Sequence, residues 1–217
     1  MAKILRYIPL ALLAAACSRE PILDTTIKPD PRAVRTYTIG YNEGIRDISK
    51  ISRARRPEDV WFFDGKRWYD VGERSGALFT STDLERVVAI SDTTSGTERK
   101  IVHNHSTWDG KAYGDLDYHP PSYTDLKGEL GRSFEVPGIE EEAVDGKGVW
   151  RYVWTRQPLS RKEMELVLKR YYTAARDTFM MDQRTSGSNF DFNRAYNTLR
   201  TTAASLGIDI SYKPIGN

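Results

Sequence analysis

The chain is poor in cysteine, poor in histidine and almost without net charge. One Cys among 217 residues cannot close an intrachain disulfide, nor can it build a cysteine-rich zinc site. Lys and Arg number 32 against 30 Asp and Glu, a formal charge of +2. The marked basic excess that usually accompanies nucleic-acid binding is therefore missing, and no nucleic-acid partner is expected. The apolar stretch from Ile8 to Ala16 is too short to span a bilayer, which takes about 20 residues. What is present, 39% hydrophobic and 29% charged residues, is the composition of a globular domain rather than of a membrane bundle or a disordered tail. The length suits one domain with extensions. Only three His occur, so each can be weighed by position.

The N-terminus reads as an export signal over residues 1–16: Lys3 and Arg6 are followed by the apolar stretch and by Ala14, Ala15 and Ala16. Small residues before the only Cys resemble a bacterial lipobox, in which Cys17 is lipidated and becomes the first mature residue. Leu13 stands four residues before Cys17, where that pattern more often has it three before. The resemblance implies a membrane partner through a lipid anchor, and Ser18 after the Cys leans towards the outer membrane, periplasmic face. Removal of Lys3 and Arg6 with the signal leaves 30 basic against 30 acidic side chains, a neutral mature protein. Residues 17–35, with Pro21, Pro29 and Pro31 and no apolar period, read as a tether.

The folded domain is expected from 36 to 217. Thr38 to Asp47 is ambiguous. Val60–Phe63 and Arg67–Asp70, rich in aromatic residues and separated by Asp64-Gly65, predict a hairpin. Ala77-Leu78-Phe79 reads as a short strand, Asp83 to Ile90 as helix or strand, and Lys100-Ile101-Val102 as a strand delivering His103 to a sheet edge. Ser106 to Pro121 has two Gly, two Pro and no apolar period, hence a long loop. Val149 to Trp154 predicts a strong strand. Ser160 with Glu163 three residues on predicts a capped helix to about Met181. Thr185 to Asn189 reads as a turn, Phe190 to Leu206 as a helix stopped by Gly207, and Ile208 to Tyr212 as a final strand. This order implies an α/β (α+β) fold with a single mixed sheet flanked by helices.

Chemistry concentrates in His103-Asn104-His105. Residues i and i+2 of a strand share a face, so both imidazoles reach one point. Two His do not complete a zinc site; a third ligand is needed. Downstream, Pro121-Ser122-Tyr123-Thr124-Asp125 allows a helix starting near Ser122 to present Ser122 and Asp125 together at its first turn. His119, in a proline-rich loop, reads as a surface residue, with replacement of Asp125 as ligand the other reading. The literal tripeptide His-Asn-His is no sign of the HNH nucleases, whose motif residues are spread over a ββα unit.

His-x-His followed by Ser-x-x-Asp resembles the JAMM motif of JAB/MPN-domain metalloproteases. Val102-His103-Asn104-His105 with Pro121-Ser122-x-x-Asp125 is most similar to the RadC-like branch. The resemblance implies a JAB/MPN-like, cytidine-deaminase-like architecture and a zinc cofactor held by His103, His105 and Asp125. It implies that Ser122 steadies the oxyanion and that a Glu from an earlier strand takes the proton of water. Family spacing puts that Glu about forty to fifty positions before the first His. Glu58, 45 positions upstream, fits, and Glu73, at 30, is the runner-up. Two features depart from the family: Ser106 replaces the usual Pro after the second His, and 19 residues separate His105 from Asp125. The family motif commonly leaves about ten, so roughly nine are inserted, and residues 107–118 read as a gripping loop or lid. The function implied is a membrane-anchored zinc hydrolase of a peptide or isopeptide amide, its partner a peptide or protein substrate. The alternative is a catalytically silent JAB-like binding module at the envelope.

Overall fold

The computed structural model describes residues 36–53, 58–75, 79–93, 98–105, 116–136, 138–158 and 160–216. The signal, Cys17, the tether, the 107–115 part of the insertion and residues 77–78 lie outside them. Strands β1 (Thr36–Tyr37), β2 (Val60–Phe63), β3 (Trp68–Asp70), β6 (Lys100–Asn104), β7 (Glu140–Val144), β8 (Gly148–Trp154) and β9 (Ile208–Pro214) form one sheet in the order β1-β3-β2-β6-β7-β8-β9. A separate ribbon pairs β4 (Gly72–Ser75) with β5 (Phe79–Thr82). The helices are α1 (Tyr41–Arg53), α2 (Leu84–Thr93), α3 (Tyr123–Glu135), α4 (Arg161–Thr173), α5 (Met181–Ser186) and α6 (Phe192–Ser205). The chain is thus mixed α/β, with a single large mixed sheet. No helix among the described residues is long and apolar enough to cross a membrane.

Local chemistry explains the elements that the sequence announces. At the β2–β3 turn Gly65 takes φ 91°, and the Asp64 carboxylate accepts the Lys66 and Arg67 amides at 2.8 and 2.7 Å. Ser160 caps α4 by accepting the Glu163 amide, and Gly207 closes α6 with φ 80°. The ambiguous stretch after Thr38 is α1, and Asp83–Ile90 resolves as helix α2. The helix expected to end near Met181 continues through a π-helical stretch, Ala174–Met180, into α5; a 3₁₀ turn over Gly187–Asn189 follows.

Most strand pairs are antiparallel; β6 and β7 alone among the described ladders run parallel, with Lys100 opposite Glu140 and His103 opposite Ala143. Helix α3 is their crossover, as a parallel pair requires. One sheet face packs Trp150, Tyr152, Trp154, Ile208 and Ile210 against Leu126, Leu168, Tyr171, Phe179 and Leu199 of the helices. The other carries α1, whose Ile45 and Ile48 meet Phe63, Trp68, Val102 and Val144. Gly44 makes this approach possible, since a Cβ there would stand 2.4 Å from the Trp68 ring.

Strand β7 has no counterpart among the expected elements. Its sequence, Glu-Glu-Glu-Ala-Val, carries three acids into the sheet, and Glu141 and Glu142 are buried. Each is paired. Glu141 accepts two N–H groups of Arg132 and the Tyr152 hydroxyl at 3.2 Å. On the opposite face Glu142 accepts Lys100 Nζ at 2.9 Å and the Tyr41 hydroxyl.

Near Glu141 lies a second buried acid, Glu129 of α3, with one oxygen lacking any hydrogen-bond partner. Burial, with the charge of Glu141, pushes its carboxyl from 4.5 up to about 7. Between these values the folded state keeps a proton that the unfolded chain releases, so stability falls as pH rises from 4.5 to about 7. Glu129→Gln is expected to flatten that slope and to exceed the parent above pH 7 by at most about 3 kcal/mol. Urea denaturation on both sides of the window checks this.

Candidate metal centre

The site stands at the carboxyl end of β6, where α3 begins. His103 is in the strand and His105 just beyond it, on the face that also carries Ile101. The His105 amide donates to Val144 O at 2.8 Å, extending the parallel ladder past the strand end. Both imidazoles are buried, and the His103 ring lies edge-on to Tyr152, with centroids 6.4 Å apart.

Helix α3 brings the third group. Ser122 is its N-cap, and the cap is reciprocal: Ser122 Oγ accepts the Asp125 amide at 3.2 Å, and the Ser122 amide donates to Asp125 Oδ2 at 2.6 Å. The same Oδ2 faces His105 Nε2 at 3.0 Å, while Oδ1 is 3.4 Å from His103 Nε2. The two Nε2 atoms are 3.0 Å apart. The helix cap thus fixes Asp125 and aims its carboxylate at the imidazole pair. Ser122 Oγ also meets Thr124 Oγ1 at 2.8 Å.

The donor set fits a cation. His105 Nδ1 is 3.0 Å from the His119 carbonyl, which can only accept, so Nδ1 carries a hydrogen and Nε2, a lone pair whenever the ring is neutral, faces inward. There it meets Asp125 oxygen and the second imidazole, an arrangement repulsive without a positive charge between them. Taking one ligand atom from each residue, the three atoms lie within 4.8 Å of one another, close enough to share one ion. His103, His105 and Asp125 are also the one group of three or more potential ligands that converges among the described residues. A proton can supply that charge as well as an ion can: burial opposes charge on either partner, yet Asp125 raises His105 to about 9, and the two imidazoles hold Asp125 well below the usual carboxylate range.

Register explains how Glu58 enters. Strand β2 runs antiparallel to β6 with Val60 opposite His103, and the Asn104 amide donates to Asp59 O at 3.3 Å. Two residues further back, Glu58 falls opposite His105 on the same face. Burial raises its carboxyl, Asp125 adds to the rise, and the imidazoles of His105 and His103 counter it. Glu73 lies instead in β4, opposite Ser81 of β5, outside the sheet that bears the His pair.

His119 corrects the expectation of a surface residue. It is 7% exposed, and burial with the neighbouring His105 depresses its imidazole to about 3. The ring does not take the place of Asp125; His119 serves His105 through its backbone carbonyl. Proline neighbours suggested a solvated loop, whereas residues 116–121 are pinned beneath the C-terminal helices. The sequence carries no signal for this, or for the buried Asp145 and Gln183 that hold the segment. No family model matches this chain, and no curated protein or solved structure matches it.

Proposed function

We propose that this chain is a zinc-dependent hydrolase of a peptide or isopeptide amide bond, of the JAB/MPN type. The observation that carries the reading is the convergence of His103, His105 and Asp125 on one point, with Glu58 opposite His105 by strand register. Zinc held by those three side chains would supply a Lewis acid that acidifies water and polarises the scissile carbonyl.

The remaining work belongs to the chain. Glu58, its carboxyl raised by burial, accepts the proton of the attacking water and returns it to the leaving amine nitrogen. Ser122 donates its hydroxyl hydrogen to the developing oxyanion, while its lone pair continues to cap α3. Tyr152 and the buried wall behind His103 keep water from the far side of the imidazole pair. Export and lipidation at Cys17 would hold the enzyme at the periplasmic face of the outer membrane, with envelope peptides or proteins as substrates.

The test is metal content. Purified mature protein is expected to hold one zinc per chain by elemental analysis, and Asp125→Ala to lose at least tenfold in affinity. Parent protein without zinc after equilibration with the free ion would overturn the reading.

A further inference from the structure

The C-terminal helices lie far in sequence from the motif, yet they reach its backbone. Gln183 of α5 is buried and uses its whole amide on one short segment: Oε1 accepts the Asp117 and Tyr118 amides at 2.9 and 3.0 Å, and Nε2 donates to Tyr118 O at 3.0 Å. The next residue is taken by Asp145, fully buried after β7, whose Oδ2 accepts the His119 amide at 3.1 Å and the Trp150 indole N–H at 2.8 Å. Its Oδ1 accepts the Lys147 and Gly148 amides, both at 2.7 Å. Residues 117–119 are therefore bound from two directions, and the carbonyl that ends the segment accepts His105 Nδ1–H.

The π-helical stretch gives Gln183 its aim. Val167, Tyr171, Ala175, Phe179 and Gln183 are buried at every fourth position. In an α-helix each four-residue step overshoots one turn by about 40°, so four steps would carry the stripe to the opposite side. The wider winding of Ala174–Met180 takes back that drift, and Gln183 still faces the core.

We propose that Gln183 and Asp145 are positioning residues, which clamp residues 117–119 so that the His119 carbonyl fixes the His105 ring with its hydrogen on Nδ1 and Nε2 turned to His103 and Asp125. The consequence for affinity rests on the zinc reading; the ring state does not. A ligand imidazole held by a backbone carbonyl binds metal with its orientation and tautomer already set.

The experiment compares the parent with Gln183→Met, which keeps the shape and removes all three hydrogen bonds, and with Gln183→Glu, which keeps the acceptor for both amides. Imidazole ¹⁵N shifts of the zinc-free proteins, recorded at alkaline pH where the ring is neutral, report the His105 tautomer, and competition with a chelator reports zinc affinity. The parent is expected to show His105 with hydrogen on Nδ1. In Gln183→Met that state gives way to a mixture of tautomers and zinc binds about 10- to 100-fold more weakly. Gln183→Glu restores the tautomer. A lost hydrogen bond of merely structural value would lower the unfolding midpoint and leave the ¹⁵N pattern intact. An unchanged tautomer in folded Gln183→Met overturns the proposal. Should the parent bind no zinc, the hydrolase reading falls, and the tautomer comparison still decides the clamp. Asp145→Asn, expected to shift the His105 pattern in the same direction, supplies the second variant if Gln183→Met fails to fold.

Discussion

Glu58→Gln is expected to retain a full complement of zinc and to lose amide hydrolysis by about 100- to 10,000-fold, the usual contribution of a positioned general base. The amide replacement preserves volume and removes the basic lone pair that accepts the proton. It also removes a negative charge that favours protonated His105, so metal binding should, if anything, face less competition from protons. Elemental analysis beside single-turnover assays on a peptide library separates the two effects. Zinc bound by a parent that hydrolyses nothing would favour the envelope binding module, and hydrolysis undiminished in Glu58→Gln would remove Glu58 as the base. The runner-up acid enters the same experiment as Glu73→Gln, expected to hydrolyse at the parental rate, since its ribbon lies outside the ladder that sets Glu58 opposite His105.

Arg132→Met should destabilise the fold by about 3–5 kcal/mol, because it leaves a buried carboxylate without its counter-charge. Glu141 is fully enclosed and takes two N–H groups from this one guanidinium. The Tyr152 hydroxyl at 3.2 Å remains, but it is neutral and cannot replace the charge. With Glu129 also close, the one guanidinium faces two acids. Urea denaturation at neutral pH measures the loss. The double variant Arg132→Met with Glu141→Leu is expected to recover most of it, since an apolar pair of similar size avoids desolvating either ion. A single variant that costs under about 1 kcal/mol would show that water reaches Glu141.

The same residues explain what the sequence could and could not reveal. The β2–β3 hairpin was readable because Asp64-Gly65 names its own turn, and α3 because a Ser capping an Asp three positions on is a local signal. Asp125, the third proposed ligand, came with that cap. Strand β7 was not readable. Three consecutive acids suggest a solvated segment, and it takes Arg132, Arg151, Lys100, Tyr41 and Tyr152, contributed from other elements, to make them fit inside a sheet. Helix α1 was obscured for a related reason: its buried face uses Gly44, Ser49 and Ser52 beside Ile45 and Ile48, so close approach substitutes for an apolar stripe. Ser52 Oγ, for example, donates to Val144 O at 2.8 Å across the interface. His119 went astray because a loop's burial depends on what packs over it.

The lone parallel pair has a consequence for the order of events in folding. It divides the sheet into two antiparallel ribbons, β1-β3-β2-β6 from the first half of the domain and β7-β8-β9 from the second. As the chain leaves the ribosome, the first ribbon has all its strands early. The second must wait almost for the C-terminus, because Gly148 pairs with Pro214. His103 and His105 ride on the early ribbon, whereas Val144 and Asp145, which hold His105 and its neighbour, belong to the late one. Asp125 lies in the crossover between them. The imidazole pair is therefore made before it is set, and any ion captured there would tie the early ribbon to the first turn of the crossover helix.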